Sequence, residues 1–127
     1  RSAGGWIDRL GAVLAQPAWL SEEDLAYFVN EFKGSGFRGG VNYYRNFDRN
    51  WTVTEHLDPV ITMPSAFVSG AQDVVIQGAD NTALTTMMSP VMKQLRDITL
   101  IEGMGHWVQQ EAPLATTAAM LEFLDSL

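Results

Sequence analysis

Residues 102–113, EGMGHWVQQEAP, decide the fold, because they place a histidine directly after a short β-rich run, Ile98 to Ile101. Two glycines in this stretch, Gly103 and Gly105, let the backbone turn tightly enough to aim the imidazole ring. A loop after a strand of an α/β sheet is the usual place for a functional side chain, and histidine can take up a proton near neutral pH. We therefore expect His106 to be a base presented at the end of a strand.

A candidate partner for this base follows an earlier strand. Ser65 to Ser69 is a short apolar run of the kind found in buried strands, and Asp73 lies in the loop after it. A predicted helix from Asn81 to Met88 leads to the second strand, and another from Leu114 to Leu127 ends the chain. This order predicts a parallel pair with a right-handed crossover. Both loops then open on one edge of the sheet, where Asp73 can accept the imidazole N–H and fix the tautomer of His106.

Each of these residues also has a purely structural interpretation. An aspartate after a glycine is most often a turn residue, and His106 could be a loop histidine with satisfied hydrogen bonds. Their order and their placement on successive strand ends favour the functional interpretation. The other histidine, His56, lies in a polar stretch and is expected to be solvated. The two histidines are far apart without metal-ligand spacing, so we predict no metal and no cofactor.

The first part of the chain is predicted to be helical. Ser21 can cap a helix that has Asp24 at the capping-box position and that ends at Gly34. A second helix is expected from about Val41 to Thr54, with aromatic residues near one face. The alternating strands and helices begin only after Pro59, so the chain divides into a helical segment and an α/β segment.

Two parallel strands make a poor sheet, because both faces of a parallel sheet need cover and several strands are usual. We therefore expect residues 59–127 to form the edge of a larger, doubly wound, mostly parallel sheet. The other strands of that sheet are not in this sequence. The absence of an initial methionine agrees with this expectation, since it indicates that a preceding segment is missing or was removed.

Composition narrows the class of ligand. The 127 residues carry a net charge of −7 with scattered basic residues, which argues against nucleic acid. No apolar run is long enough to span a bilayer. The chain has no cysteine, which agrees with a cytoplasmic location and excludes a thiol nucleophile. Four Trp, three Tyr and six Phe favour a neutral or apolar small molecule as the ligand.

Several motifs resemble those of one family. The sequences SGFRG, NYYRN and RNW resemble the cap-domain signature of epoxide hydrolases with the α/β-hydrolase fold, and GHW followed by QQEAP resembles their histidine loop; these motifs occupy residues 35–39, 42–46, 49–51, 105–107 and 109–113. The resemblance runs from Ala3 to Leu124. It implies an α/β-hydrolase fold, with residues 1–58 in a helical cap and residues 59–127 in the carboxy-terminal part of the core.

The family resemblance also implies roles. An epoxide is hydrolysed to a vicinal diol through an aspartyl ester, with His106 activating water, Asp73 orienting the histidine and Tyr44 donating to the epoxide oxygen. The nucleophilic aspartate and a first cap tyrosine lie upstream in the family and are absent from this sequence. The implied partners are a small apolar epoxide, water and the upstream remainder of the hydrolase. Alone, the chain is expected to be inactive. A homodimer is one of the assemblies that the sequence allows.

Two other functions compete with this prediction. A haloalkane or haloacid dehalogenase of the same fold shares the aspartate, the acid and the histidine, but does not need paired cap tyrosines. A non-catalytic ligand-binding protein could keep the fold without turnover. Tyr44 also has a structural alternative, because it lies at helical spacing from Phe47 and Trp51 and aromatic residues in that pattern usually pack together.

Overall fold

A computed structural model describes residues 15–127, and the start of the family resemblance at Ala3 lies outside these described residues. The described part contains two strands and six helices. The strands are β1 (Ile61–Gly70) and β2 (Met92–Ile101), and the helices are α1 (Glu22–Ser35), α2 (Arg38–Arg45), α3 (Phe47–Thr54), α4 (Asn81–Met88), α5 (Val108–Glu111) and α6 (Pro113–Asp125).

The two strands form a parallel pair, as the sequence predicts. Both strands are longer than the apolar runs from which they were predicted. The pairing extends back to Ile61 and Met92, through two register irregularities near Pro64. The strands pair through these polar and proline-containing residues as well. Hydrophobicity alone therefore predicted only the buried, carboxy-terminal part of each strand. At the other end Gly70 lies opposite Ile101, which brings the two following loops to the same level.

Helix α1 begins as predicted. The side chain of Ser21 accepts a hydrogen bond from the backbone N–H of Asp24, and Ser21 itself is extended. The predicted end at Gly34 is wrong, because α1 continues to Ser35 and Gly36 is the cap. Gly36 has a φ of 66°, a left-handed conformation that favours glycine. Its N–H donates to the carbonyl of Phe32 and so satisfies one of the last carbonyls of the helix.

The single helix predicted from Val41 to Thr54 is wrong, because two short helices take its place. Helix α2 already begins at Arg38, and the break falls at Asn46 between α2 and α3. The side-chain amide of Asn46 donates to the carbonyl of Asn42 at 2.8 Å. Asparagine competes with the helical backbone for such hydrogen bonds, which accounts for the break at this residue.

The best-packed part of the described chain surrounds the sheet. Helix α4 has the predicted bounds and contributes Leu84, which is fully buried; Ile98 of β2 and Val108 of α5 are also buried. The side-chain amide of Asn81 donates to the carbonyl of Ile98 and ties α4 to the strand. Helix α6 packs against both strands. It begins one residue before the prediction, at Pro113, a favoured first helical residue.

Large apolar faces stay partly open in the described chain. The apolar face of α1 has the predicted helical spacing, yet its members are 38–44% exposed; they are Leu25, Phe28, Val29 and Phe32. No residue of α1, α2 or α3 is buried. Within residues 15–127, no helix has the length and apolar character needed to cross a membrane.

Candidate active site

The loops that follow β1 and β2 are joined by backbone hydrogen bonds. The N–H of Ala71 donates to the carbonyl of Ile101 at 3.0 Å, which continues the sheet by one residue. The N–H of Gln72 then donates to the carbonyl of Met104 at 2.9 Å. The first bond joins the acid-bearing loop to the end of β2, and the second joins it to the histidine loop (residues 102–107). The spacing between the two loops is therefore set by the backbone.

Gly70 allows this close approach. A Cβ atom at this position would overlap the carbonyl oxygens of Met104 and Gly105. Both of these groups belong to the backbone and cannot rotate away as a flexible side chain would. Only glycine fits at the end of β1 without displacing the histidine loop. The sequence marks Gly70 as the end of a strand but carries no local signal of this contact, because its partners lie more than thirty residues further along the chain.

The predicted pair, Asp73 and His106, is in contact. The Nδ1 atom of His106 lies 3.0 Å from Oδ1 and 3.1 Å from Oδ2 of Asp73. A carboxylate only accepts, so Nδ1 carries the proton and donates it. In the neutral ring Nε2 is then the nitrogen with the free electron pair. Asp73 is buried, whereas the His106 side chain is 49% exposed, so the acid is shielded and the base is open to small molecules.

The Asp73 carboxylate is held by two further donors. The backbone N–H of Val75 donates to Oδ1 at 2.8 Å, and the hydroxyl of the buried Ser69 donates to Oδ2 at 3.2 Å. Burial raises the pKa of Asp73. The N–H of Val75, the imidazole of His106 and the hydroxyl of Ser69 lower it, and their combined effect is larger, so the pKa lies below the ordinary value of 3.8. Asp73 is therefore ionised at neutral pH and is a charged acceptor for the N–H of the His106 ring.

A lowered pKa has a consequence for acid stability. Because the folded protein binds the Asp73 proton more weakly than the unfolded chain, ionised Asp73 stabilises the fold fully above the ordinary aspartate pKa. We expect that contribution to disappear as the pH falls below about 4 and through the lower pKa of the folded state. Urea unfolding of the protein and of the Asp73→Asn variant between pH 7 and pH 2 measures it. The stability difference between the two should shrink with acid, and a pH-independent difference would contradict the assignment.

The histidine loop is also bound by a carboxylate of α5 that sequence reasoning missed. Glu111 accepts from the N–H of Gly105 at 2.6 Å with Oε2, and from the N–H of Trp107 at 2.9 Å with Oε1. Gly103 makes the predicted tight turn with a φ of 74°. Gly105 has no positive φ; a Cβ there would lie 3.2 Å from Oε1 of Glu111. Gly105 thus provides room for the carboxylate.

Tyr44 lies apart from the Asp73–His106 pair. It occupies the last turn of α2 and is 68% exposed. Its ring contacts Tyr43 and Phe47, at centroid distances of 5.5 Å and 5.6 Å. Within residues 15–127 its hydroxyl makes no hydrogen bond, and no ring contact joins it to His106. The geometry leaves the hydroxyl open, and the role that the family resemblance gives Tyr44 stays a prediction.

The remaining candidates do not form a site. His56 is exposed, as expected for a solvated residue. Among the described residues, no group of three His, Asp or Glu side chains is arranged to hold a metal ion. The chemistry at this edge of the sheet therefore depends on the imidazole of His106, which has the buried, ionised Asp73 at Nδ1 and a free Nε2. Such a pair can take a proton from water and stabilise the resulting charge.

Known proteins with the same sequence pattern are epoxide hydrolases. The chain is 44% identical over 124 residues to epoxide hydrolase A of Mycobacterium tuberculosis, a match that covers 97% of this chain and 37% of that protein. It is 32% identical over 111 residues to epoxide hydrolase 2 of Siraitia grosvenorii, covering 85% of this chain and 35% of that relative. No protein-family model matches the chain.

Solved structures give the same result. The crystal structure of epoxide hydrolase A from Mycobacterium thermoresistibile aligns with a TM-score of 0.81 at 43% identity, over 96% of this chain and 37% of that one. Potato epoxide hydrolase I aligns with a TM-score of 0.76 at 30% identity, over 91% of this chain and 39% of that one. The chain thus spans a little over a third of the length of these proteins and matches their carboxy-terminal part.

Proposed function

Because this chain belongs to the epoxide hydrolases of the α/β-hydrolase fold, we propose that it supplies the water-activating part of such an enzyme. The observation that carries the proposal is the contact between His106 Nδ1 and the buried carboxylate of Asp73 at 3.0 Å. It leaves Nε2 as a base at the edge of the sheet. The reaction is the addition of water to an epoxide to give a vicinal diol.

The first step forms a covalent ester. A carboxylate oxygen of an aspartate outside this sequence attacks one epoxide carbon, and the bond between that carbon and the epoxide oxygen breaks. The Tyr44 hydroxyl donates a proton to the departing oxygen, which becomes the first hydroxyl of the product. The exposed hydroxyl of Tyr44, on a helix with no buried residue, supports this role because nothing among the described residues already occupies it.

The second step consumes water. Nε2 of His106 takes a proton from a water molecule while the water oxygen attacks the ester carbonyl. Ionised Asp73 stabilises the imidazolium that forms. The bond between the carbonyl carbon and the ester oxygen then breaks, and the second proton of the water passes from the new carboxyl group to the departing alkoxide oxygen. This transfer releases the diol and restores the aspartate carboxylate. The proton on His106 returns to the tyrosinate, so that one water is consumed for each diol.

A cleft with mainly apolar walls supports an apolar substrate. It has a volume of about 200 Å³ and lies between the start of α1 and α5; its walls are formed by Trp19, Leu20, Asp24, Phe28 and Gln110. Gln110 is three residues from Trp107 in the histidine loop. We propose that residues 1–58 act as a cap over residues 59–127 and that a small apolar epoxide enters near this cleft.

The remainder of the hydrolase is part of the proposal. The open apolar face of α1 and the two-stranded sheet are both consistent with further strands and helices that pack against them. The relatives are long enough to contain such elements, since the chain matches only 37% of epoxide hydrolase A. We propose that the nucleophile lies in that remainder and that the chain alone is inactive. A cytoplasmic enzyme that removes reactive epoxides fits the lack of cysteine.

Tyr44→Phe tests the step that separates this function from its nearest rival. In the whole enzyme we expect ester formation to slow by roughly 10²-fold, the lower end of a general acid's contribution, because the family has a second cap tyrosine. Single-turnover kinetics with an epoxide measure the rate. Tyr43→Phe is the matched control, since Tyr43 is equally exposed at 68% and lies on the same helix, and it should leave the rate unchanged.

The same pair of variants distinguishes the rivals. A dehalogenase has no epoxide oxygen to protonate, so turnover of a haloalkane that is equally fast in Tyr44→Phe and in the unmodified enzyme would favour that function. Unchanged epoxide opening in Tyr44→Phe would remove Tyr44 from the mechanism. The names of the relatives favour epoxide hydrolysis over dehalogenation.

A further inference from the structure

A second carboxylate holds the backbone on both sides of the base. The two oxygens of Glu111 accept from the N–H groups of Gly105 and Trp107, which directly precede and follow His106. We propose that Glu111 is a positioning residue, which fixes the backbone of His106 so that Nε2 points to the ester. The inference rests on the proposed function for its kinetic consequence, whereas the clamp itself is a feature of the described chain.

The two carboxylates act on different parts of the same residue. Asp73 binds the ring at Nδ1, which fixes the tautomer and the rotation of the imidazole. Glu111 binds the peptide groups, which fixes the direction in which the side chain leaves the backbone. A histidine on a loop needs both, because a ring that is held at one atom can still move with its backbone. Hydrogen bonds to an ionised acceptor are about twice as strong as neutral ones, which suits a clamp on a loop.

Glu111 is itself firmly placed. It is the last residue of α5, and that helix is anchored by the buried side chain of Val108. The hydroxyl of the buried Thr116 lies 3.1 Å from the carbonyl oxygen of Val108 and 2.9 Å from that of Ala112, and its one proton is shared between these two acceptors. Helix α6 therefore holds α5, and α5 holds the histidine loop through Glu111. Room for the carboxylate comes from Gly105, where a Cβ would lie 3.2 Å from Oε1.

A simple helix cap is the competing explanation, because Trp107 precedes the first residue of α5. A capping residue would affect stability alone, and its loss would lower the amount of folded enzyme. The N–H of Gly105 lies outside α5, however, and its bond to Glu111 at 2.6 Å has no capping role. The two explanations therefore differ in what they predict for the rate of the step that uses His106.

Glu111→Gln provides the test, because the amide keeps the length of the side chain but has one acceptor oxygen for two N–H groups. In the whole enzyme we expect hydrolysis of the ester to slow by roughly tenfold to a hundredfold, the effect of a small misplacement of a catalytic group. Formation of the ester, which does not use His106, should keep its rate. Glu111→Ala should slow hydrolysis further. Rapid-quench kinetics with an epoxide measure both steps in each variant.

The control is Glu102→Gln, the same change on an exposed residue of the same loop. Its side chain makes no hydrogen bond to the described residues, and both rates should stay unchanged. Equal slowing of both steps in Glu111→Gln, or a fall in active enzyme with normal rates, would reduce Glu111 to a cap. Normal hydrolysis in Glu111→Gln would also overturn the positioning role. Failure of the unmodified enzyme to form any ester would instead overturn the proposed function.

Discussion

Replacing Asp73 by Asn is expected to slow hydrolysis of the ester by roughly 10³- to 10⁴-fold, as the loss of an orienting acid does in other histidine-dependent hydrolases. The asparagine amide carries no charge, so the imidazolium that forms during water activation loses its stabilising partner. The amide can also turn its NH₂ group toward Nδ1, which would place the ring proton on Nε2 and remove the base. Single-turnover hydrolysis of the ester in the whole enzyme measures the effect.

A matched control separates this effect from a general change in charge. Asp125→Asn makes the same substitution at the end of α6, where the side chain is exposed and makes no hydrogen bond within the described residues. Its rate should equal that of the unmodified enzyme. A hydrolysis rate in Asp73→Asn within a few-fold of the control would contradict the orienting role. It would mean that His106 activates water without the carboxylate that lies 3.0 Å from its Nδ1.

The partnership of Asp73 and His106 could be predicted from sequence because it follows from strand order. Each residue lies a few positions after a buried run, and the ends of parallel neighbours meet at one edge of a sheet. The structure has the parallel pair, with Gly70 opposite Ile101, so that the two loops start level. Local patterns were sufficient for this part of the site.

Glu111 and Gly70 could not be predicted in the same way, because their importance depends on contacts across the fold. The spacing between Glu111 and Trp107 becomes informative only when the structure shows that the carboxylate accepts from the N–H groups of Gly105 and Trp107. The requirement for glycine at position 70 comes from carbonyl groups of Met104 and Gly105, which no local pattern relates to the end of β1. The break at Asn46 was missed for a related reason, since the aromatic spacing continues through it.

The family resemblance contributed what the local patterns lacked. Periodicity alone favours packing for Tyr44, and the structure places its ring against Phe47 with the hydroxyl open. The chemistry of ring opening thus rests on the motif, whereas the chemistry of water activation rests on the geometry of His106. Substitution of His106 therefore tests the proposed chemistry more directly than substitution of Tyr44.

His106→Gln in the whole enzyme is expected to trap the covalent intermediate. Glutamine cannot take a proton from water at neutral pH, so the ester forms but its hydrolysis is lost, by roughly 10³-fold or more. The first step does not use His106, because the attacking aspartate is already ionised and Tyr44 donates the proton. Steady-state turnover should therefore fall to background while one equivalent of epoxide remains bound.

Intact-protein mass spectrometry of His106→Gln, soaked with an epoxide, tests whether this chain supplies the base for water activation. We expect an adduct of one epoxide mass that accumulates in the variant and stays transient in the unmodified enzyme. The His56→Gln control, which changes the exposed histidine, should behave like the unmodified enzyme. Absence of the adduct, or an adduct hydrolysed as fast as in the unmodified enzyme, would contradict the claim.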